Sequence, residues 1–334
     1  MALAVVAVAS AVIAAAGGTG HAARSATPKV ALVTDIGGLN DRSFNQAANT
    51  GRLRVQSKLG LDTRVFITQS ASDRLPNLQA AAQGYDLVFG TGFFMGDPLD
   101  KVAPKFPNVK FAGIDVSWSS LPSKPSNVRG LIFKEQEAGY LVGYIAGLVV
   151  KQQKGPDVVS AVGANKVPAI VRYIGGYKAG AKKADPKVKV LVDYANDPTF
   201  SDQAKCKETA TNQIGRGTQV IFQVAGGCGL GALQAAKEHH LWGIGVDVDQ
   251  GYLGSHMLTS ALKDVAAAVY LTAKEFKADP SGFRGGFDKV FTVKNGGIGY
   301  GTVAKKLKNR ASIIKKVNKI RALIAAGKIV PPTS

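Results

Sequence analysis

Acidic residues are scarce in this chain. It carries 23 Asp and Glu against 42 Lys and Arg, a formal net charge of +19. Such a balance disfavours a cationic partner surface and favours anionic surroundings such as nucleic acid, acidic lipid or cell-wall polymer. The cations are scattered, with no tight basic block and no interleaved aromatics, so no nucleic-acid partner is expected. Histidine and cysteine are scarcer still, with four of one and two of the other. His239 and His240 stand side by side at a helix end, where a favourable C-terminal charge explains them better than a metal site. There is no HExxH, P-loop, GxSxG or CxxC, and no metal or cofactor is expected. Long apolar runs are also missing past the start. GYLVGYIAGLVV, Gly139 to Val150, is too short to span a bilayer and is expected to form a buried helix.

Apolar residues make up 46% of the 334. That supports a sizeable core and about two domains' worth of chain. The first 26 residues, MALAVVAVASAVIAAAGGTGHAARSA, form an apolar small-residue run followed by a Gly/Ala/Ser stretch. They read as a signal-like segment with cleavage near Ala23 to Ala26. The run lacks positive residues at its head, so a true start upstream is expected. An exported location is expected, in the periplasm or on the outer face of the plasma membrane. In that setting Cys206 and Cys228 could form one disulfide, or stay as independent buried thiols.

From Lys29 onward strand-like and helix-like segments alternate. KVALVTD, TRVFITQ, YDLVFGTG and NVKFAGID form one series; DVVSAVG, VKVLVDYA, TQVIFQVAG and WGIGVDVD form a second. Near-continuous apolar strands separated by amphipathic helices imply parallel sheets covered on both faces. The expected fold is therefore α/β, two doubly wound parallel-sheet lobes joined by a hinge with several crossovers. The expected lobes are residues 29–133 plus about 256–283, and about 134–250 plus about 284–330. The last helix, roughly Asn309 to Ala326, is basic and amphipathic, and is expected to pack on a lobe with its charges in solvent, with a membrane-surface or partner helix as the alternative.

In open parallel sheets ligands bind beyond the carboxyl ends of the strands. Asp35, Asp115 and Asp247 end strands there, with Asp193 a fourth candidate, and Lys263 follows in TSALKD. Ionised carboxylates offer only acceptors, which suits the vicinal hydroxyls of a sugar. In VTDIGGLNDRSFNQAA, Phe44 sits among polar loop residues at the opening of a helix begun by Asp41 or Ser43. Phe200 sits similarly in NDPTFSD. Two such rings suit a flat ligand stacked between them, and the Asn45 amide could meet its edge.

TDIGGLNDRSFNQ, FAGID, GVDVDQ and TSALKD resemble the basic membrane protein family of ABC-transporter substrate-binding proteins, which includes purine-nucleoside receptors. The resemblance covers nearly everything after Lys29. It implies a type I periplasmic-binding-protein fold with three crossovers. It implies that Phe44 and Phe200 sandwich a base, that Asp35 and Asn45 meet its edge, and that Asp115, Asp247 and Lys263 hold the ribose beside the backbone of Gly226 or Gly227. The implied partners are a small-molecule nucleoside and an ABC permease in the membrane, with the protein a monomer. No lipid-anchoring cysteine is visible near the signal-like segment, which departs from most members of that family.

Two rival readings use the same residues. Gly227-x-Gly229-x-x-Ala232 follows a strand and precedes a helix, and Asp247 lies twenty residues past Gly227, which nominally meets a dinucleotide fingerprint. An NAD-dependent oxidoreductase using this GGCGLGA motif is the enzyme alternative. Against it, the motif lies deep in the chain, a signal precedes the body, and no acid–base pair accompanies it; a non-enzymatic binding protein is expected. A ligand-sensing receptor for another small sugar-like molecule is the other alternative. A transcriptional regulator would need a DNA-reading helix pair before the first strand, and only the apolar segment is there.

Overall fold

The uniformly buried runs VALV, LVFGT and VIFQV have no polar face to give to water, so each needs cover on both sides. In the computed structural model, which describes residues 27–334, helices provide it. The signal-like segment 1–26 lies outside the described residues. The first lobe is built from β1 (Lys29–Val33), α1 (Phe44–Leu59), β2 (Asp62–Phe66), α2 (Arg74–Gly84), β3 (Leu87–Thr91), α3 (Gly96–Val102), β4 (Lys110–Ile114) and β5 (Val128–Phe133). The chain then crosses through α4 (Glu135–Val150) into β6 (Val158–Gly163), α5 (Pro168–Ala184), β7 (Lys189–Tyr194), α6 (Gln203–Gly215), β8 (Val220–Val224), α7 (Gly229–Glu238), β9 (Trp242–Asp247) and β10 (Met257–Lys263). It returns through α8 (Val265–Ala278) to β11 (Phe287–Phe291), then crosses a third time to β12 (Ile298–Tyr300) and α9 (Arg310–Ala325).

Two six-stranded sheets result, in the orders β11-β5-β4-β3-β1-β2 and β12-β10-β9-β8-β6-β7. The first is parallel throughout, and in the second only β12 runs antiparallel, against β10. Two segments depart from the expected lobe boundaries. β10, expected in the first lobe from about residue 256, pairs with β9 in the second sheet. β11, expected in the second lobe, pairs with β5 in the first. Both strands adjoin crossovers, and an apolar strand pattern does not say which sheet edge will accept it. The helix between them, α8, packs on α1 in the first lobe: a Cβ at Gly51 of α1 would lie 2.7 Å from the Val269 Cβ.

The GYLVGYIAGLVV run is a buried helix, as its length requires, and among the described residues no helix is long and apolar enough to cross a membrane. Its glycines allow close approach to α5. A Cβ at Gly139 would stand 2.0 Å from the Tyr173 carbonyl oxygen, and one at Gly180 2.0 Å from that of Tyr140. This packing fixes the starts of α4 and α5, and with them Glu135 and Tyr173, at the gap between the lobes.

Candidate functional site

The carboxyl ends of β1 and β4 in one lobe and of β8, β9 and β10 in the other face a shared cleft between the lobes. Asp35, Phe44, Asn45, Asp115, Phe200, Gly226, Asp247 and Lys263 all line it. Gly227 does not: a Cβ there would meet the Phe200 carbonyl at 3.3 Å and Asp41 at 3.7 Å, because the turn after β8 packs on the chain's own loops.

Three lining residues other than glycine have a left-handed backbone: Asp115 at φ 62°, Asp247 at φ 64° and Phe200 at φ 57°. Aspartate tolerates this region better than most residues, and such conformations concentrate at functional sites. At Asp115 and Asp247 the reversal comes where a buried strand ends. Phe200 is held by the loop before it, in which Asp197 accepts backbone N–H groups from Thr199, Ser201 and Asp202. The Phe200 carbonyl in turn accepts the Cys228 N–H at 2.9 Å, and Cys228 is joined to Cys206 by a disulfide. Of the two readings left open for these cysteines, pairing is the one the structure adopts.

Lys263, the last residue of β10, is buried. Its ammonium donates to both Asp115 oxygens, at 2.7 and 2.6 Å, and to Glu135 Oε1 at 3.0 Å. The other Glu135 oxygen accepts from Arg172 Nε at 2.6 Å. A buried ammonium needs this surrounding of acids to stay charged. Burial alone would lower the Lys263 pKa, but the carboxylates of Asp115, Glu135 and Asp247 outweigh it and hold it above the ordinary value. Burial pushes the Asp115 carboxyl up to about 6, with Lys263 pulling it down and Glu135 adding to the rise. The lysine also stands 4.9 Å from the Phe44 ring centre, a cation–π distance.

Asp247 accepts from Ser43 Oγ at 2.6 Å, a bond between the lobes, and from the Tyr173 hydroxyl at 3.3 Å. Its carboxyl is raised by burial, against the pull of Lys263. A further bond between the lobes runs from Gln250 Nε2 to the Arg42 carbonyl at 2.9 Å, beside those of Lys263 with Asp115 and Ser43 with Asp247. The α1 helix is opened by Asp41, whose oxygens accept the N–H groups of Ser43, Asn45 and Gln46.

On the opposite wall Asp35 is paired with Arg74, Nε to Oδ1 at 2.7 Å. Burial raises its carboxyl while Arg74 opposes the rise. The Asn45 amide is largely committed to its own loop. Its Oδ1 accepts the Asp35 N–H, and its Nδ2 donates to the carbonyls of Asp35 and Ile36. One acceptor lone pair on Oδ1 is left to meet a ligand. Phe94, whose ring centre is 6.2 Å from that of Phe200 and 4.9 Å from the Arg74 guanidinium, adds a further aromatic wall.

Sequence reading missed Glu135, Arg74, Tyr173 and Phe94. Only Glu135 left a signal, an acid at the head of an otherwise apolar helix. Asp193, the fourth strand-end candidate, turns away from the cavity and is taken by Gln213 and Arg216. The dinucleotide reading fails on geometry. The space that pyrophosphate would need against Gly226 and Gly227 is filled by the Phe200 carbonyl, 3.3 Å from a Cβ built at either glycine. Among the described residues no group of His, Cys, Asp and Glu could hold a metal ion.

A family model described as ABC transporter substrate-binding protein PnrA-like matches residues 28–333. The ABC transporter nucleoside-binding protein BmpA of Lactococcus lactis subsp. cremoris is 36% identical over 332 residues, covering 91% of this chain and 89% of that one. Basic membrane protein A1 of Borrelia garinii subsp. bavariensis is 32% identical over 282 residues, covering 83% and 80%. Among solved structures, a solute-binding protein of an ABC transporter system from Aeropyrum pernix K1 superposes with TM-score 0.80 at 26% identity, covering 92% of this chain and 94% of that one. The arabinose-binding protein AraP of Geobacillus stearothermophilus shares the fold at TM-score 0.61 and 14% identity, covering 86% and 98%.

Proposed function

The chain belongs to the PnrA-like, or basic membrane protein, family of ABC transporter substrate-binding proteins, which are not enzymes, and from that premise we propose that its cleft binds one nucleoside, purine in type. The observation that carries this reading is the joint lining of one cavity by Phe44 and Phe200, from opposite lobes, and by the Asp115, Asp247 and Lys263 cluster. The rings stack the base. Asp35 accepts from the base edge, with Arg74 favouring its charged form, and Asn45 mainly sets the loop that carries Asp35. Asp115 and Asp247 accept from the ribose hydroxyls while Lys263 donates. Closure on the ligand joins the lobes, and the closed monomer then docks on the membrane permease. Residues 1–26 direct export, so that the protein works outside the cytoplasm, as its family does.

Isothermal titration of the purified protein with guanosine, adenosine, cytidine, hypoxanthine, ribose and NAD tests the assignment. Purine nucleosides are expected to bind more tightly than either the free base or the free sugar. Binding of ribose alone, or of NAD alone, would overturn it. Phe44→Ala is expected to weaken nucleoside binding by about 1–3 kcal/mol through the lost stacking face. An unchanged affinity would remove Phe44 from the base site.

Affinity should also depend on acid. The ribose hydroxyls need the ionised Asp115, whose carboxyl burial pushes up to about 6. Protonation competes with the ligand, so affinity is constant well above that value and falls as pH drops through it, approaching about ten-fold per unit below. Titrations at pH 7.5, 6 and 5 read the slope. Asp115→Asn should flatten it at a weaker affinity, and an equal slope in the variant would assign the proton elsewhere.

A further inference from the structure

From Lys289 to Ser334 the chain contains eleven Lys and Arg and no Asp or Glu. Much of the net charge therefore sits in a segment that the nucleoside reading does not use. The α9 helix fixes where it goes. Ile313, Val317, Ile320 and Ile324 are buried against the second lobe, leaving Lys315, Lys316, Lys319 and Arg321 exposed. The loop before it presents Lys305, Lys306 and Lys308, also exposed. Among the described residues, no cation from Lys294 to Lys328 forms an ion pair.

An ordinary solvated helix face mixes signs, because Glu–Lys pairs one turn apart stabilise it and like charges destabilise it. Here Lys315 and Lys319 are one turn apart, and Arg310 stands in the first turn, the positive end of the helix dipole. The charge placement works against the helix, so an external counter-charge would relieve it.

A second feature adjoins this face. A surface pocket is lined by Lys154, Lys306 and Lys308, by the amides of Gln152 and Asn309, and by Trp242, with the Lys306 ammonium 5.0 Å from the indole centre. Ammonium and amide donors around a half-buried aromatic match an anionic headgroup at an interface, where tryptophan is favoured. Lys306 and Lys237 also help to lower the pKa of His256, after burial, as a positive local field would. Trp242 opens β9 and Asp247 ends it, so the pocket and the cleft lie at opposite ends of one strand, roughly 17 Å apart at the usual strand rise. Contact at this pole leaves the cleft mouth free.

We propose that the basic face formed by α9 and the Lys305–Lys308 loop docks the second lobe on an anionic phospholipid bilayer, with the Trp242 pocket taking a headgroup phosphate. Docking of this kind holds the receptor at the membrane surface, where a permease would meet it, and does not depend on which ligand fills the cleft.

Co-sedimentation of the full chain with vesicles tests this. Wild-type protein is expected to pellet with vesicles of phosphatidylcholine containing a third phosphatidylglycerol, and to be released by 0.5 M NaCl. It is not expected to pellet with phosphatidylcholine alone. The variant K306Q/K308Q/K315Q/K316Q/K319Q should lose roughly five-fold in partitioning per lysine removed, with nucleoside affinity unchanged as evidence of a folded protein. A control variant with Lys29, Lys58, Lys101, Lys110 and Lys189 changed to Gln carries the same net charge and should keep its binding. Equal losses in the two variants would reduce the effect to net charge and overturn the proposal. So would equal capture by neutral vesicles, or no capture by the anionic ones. Both variants keep residues 1–26, so any contribution of that segment cancels.

Discussion

Lys263→Met is expected to lose nucleoside binding and to destabilise the empty protein by about 3–5 kcal/mol at pH 7, the range for a buried ion pair that loses one partner. The methionine fills a similar volume but leaves Asp115, whose two oxygens both accept from Lys263, with no counter-ion. Glu135 suffers less because Arg172 holds its other oxygen. The sign of the pH dependence follows. The folded-state pKa of Asp115 is already raised, so folded protein binds the extra proton and stability falls as pH rises through the interval between the unfolded and folded values. Removing the lysine raises the folded value further and steepens that fall. The gap between variant and wild type should therefore narrow as pH drops from 7 to 5. Adding Asp115→Asn to Lys263→Met should recover much of the stability without recovering binding. Urea unfolding at the two pH values and titration with guanosine measure all three effects. If Lys263→Met bound guanosine as tightly as wild type, the cluster would have no part in gripping the sugar.

The second large effect concerns the disulfide. Cys206→Ser with Cys228→Ser is expected to lower stability by about 3 kcal/mol, the chain-entropy value for a bridge of this loop size. It should also weaken nucleoside binding. The bridge ties the first turn of α6 to the residue that opens α7, and that residue's N–H holds the Phe200 carbonyl. Once α6 is released, the left-handed backbone at Phe200 rests on the Asp197 turn alone. Reductant applied to the wild type should reproduce both changes. A fall in stability with unchanged affinity would make the bridge a staple only, and would detach it from the stacking ring.

Several of these parts were legible in the sequence for identifiable reasons. A strand that is apolar along its whole length and ends in aspartate has few uses in a parallel sheet, so Asp35, Asp115 and Asp247 could be placed at one rim before any coordinates. Phe44 stood out because an aromatic inside Asn, Asp, Arg and Ser has no core to join locally. Asn45 was harder to read. An amide beside such a loop can face ligand or backbone, and here the backbone takes most of it. Gly227 failed in the same way, because a glycine next to a turn signals close approach without saying to what.

By itself the sequence determined the alternation of elements, the two-sided burial of the strands and the residue types available to a ligand, because those depend on local pattern and composition. Tertiary structure alone decided which sheet received β10 and β11, since strand pairing is settled by which edges are open after the crossovers. It alone brought Glu135, from the head of α4, onto Lys263 and paired Arg74 with Asp35. Those partners are far apart along the chain, and the free energy of holding a charge out of water depends on neighbours that no local pattern specifies.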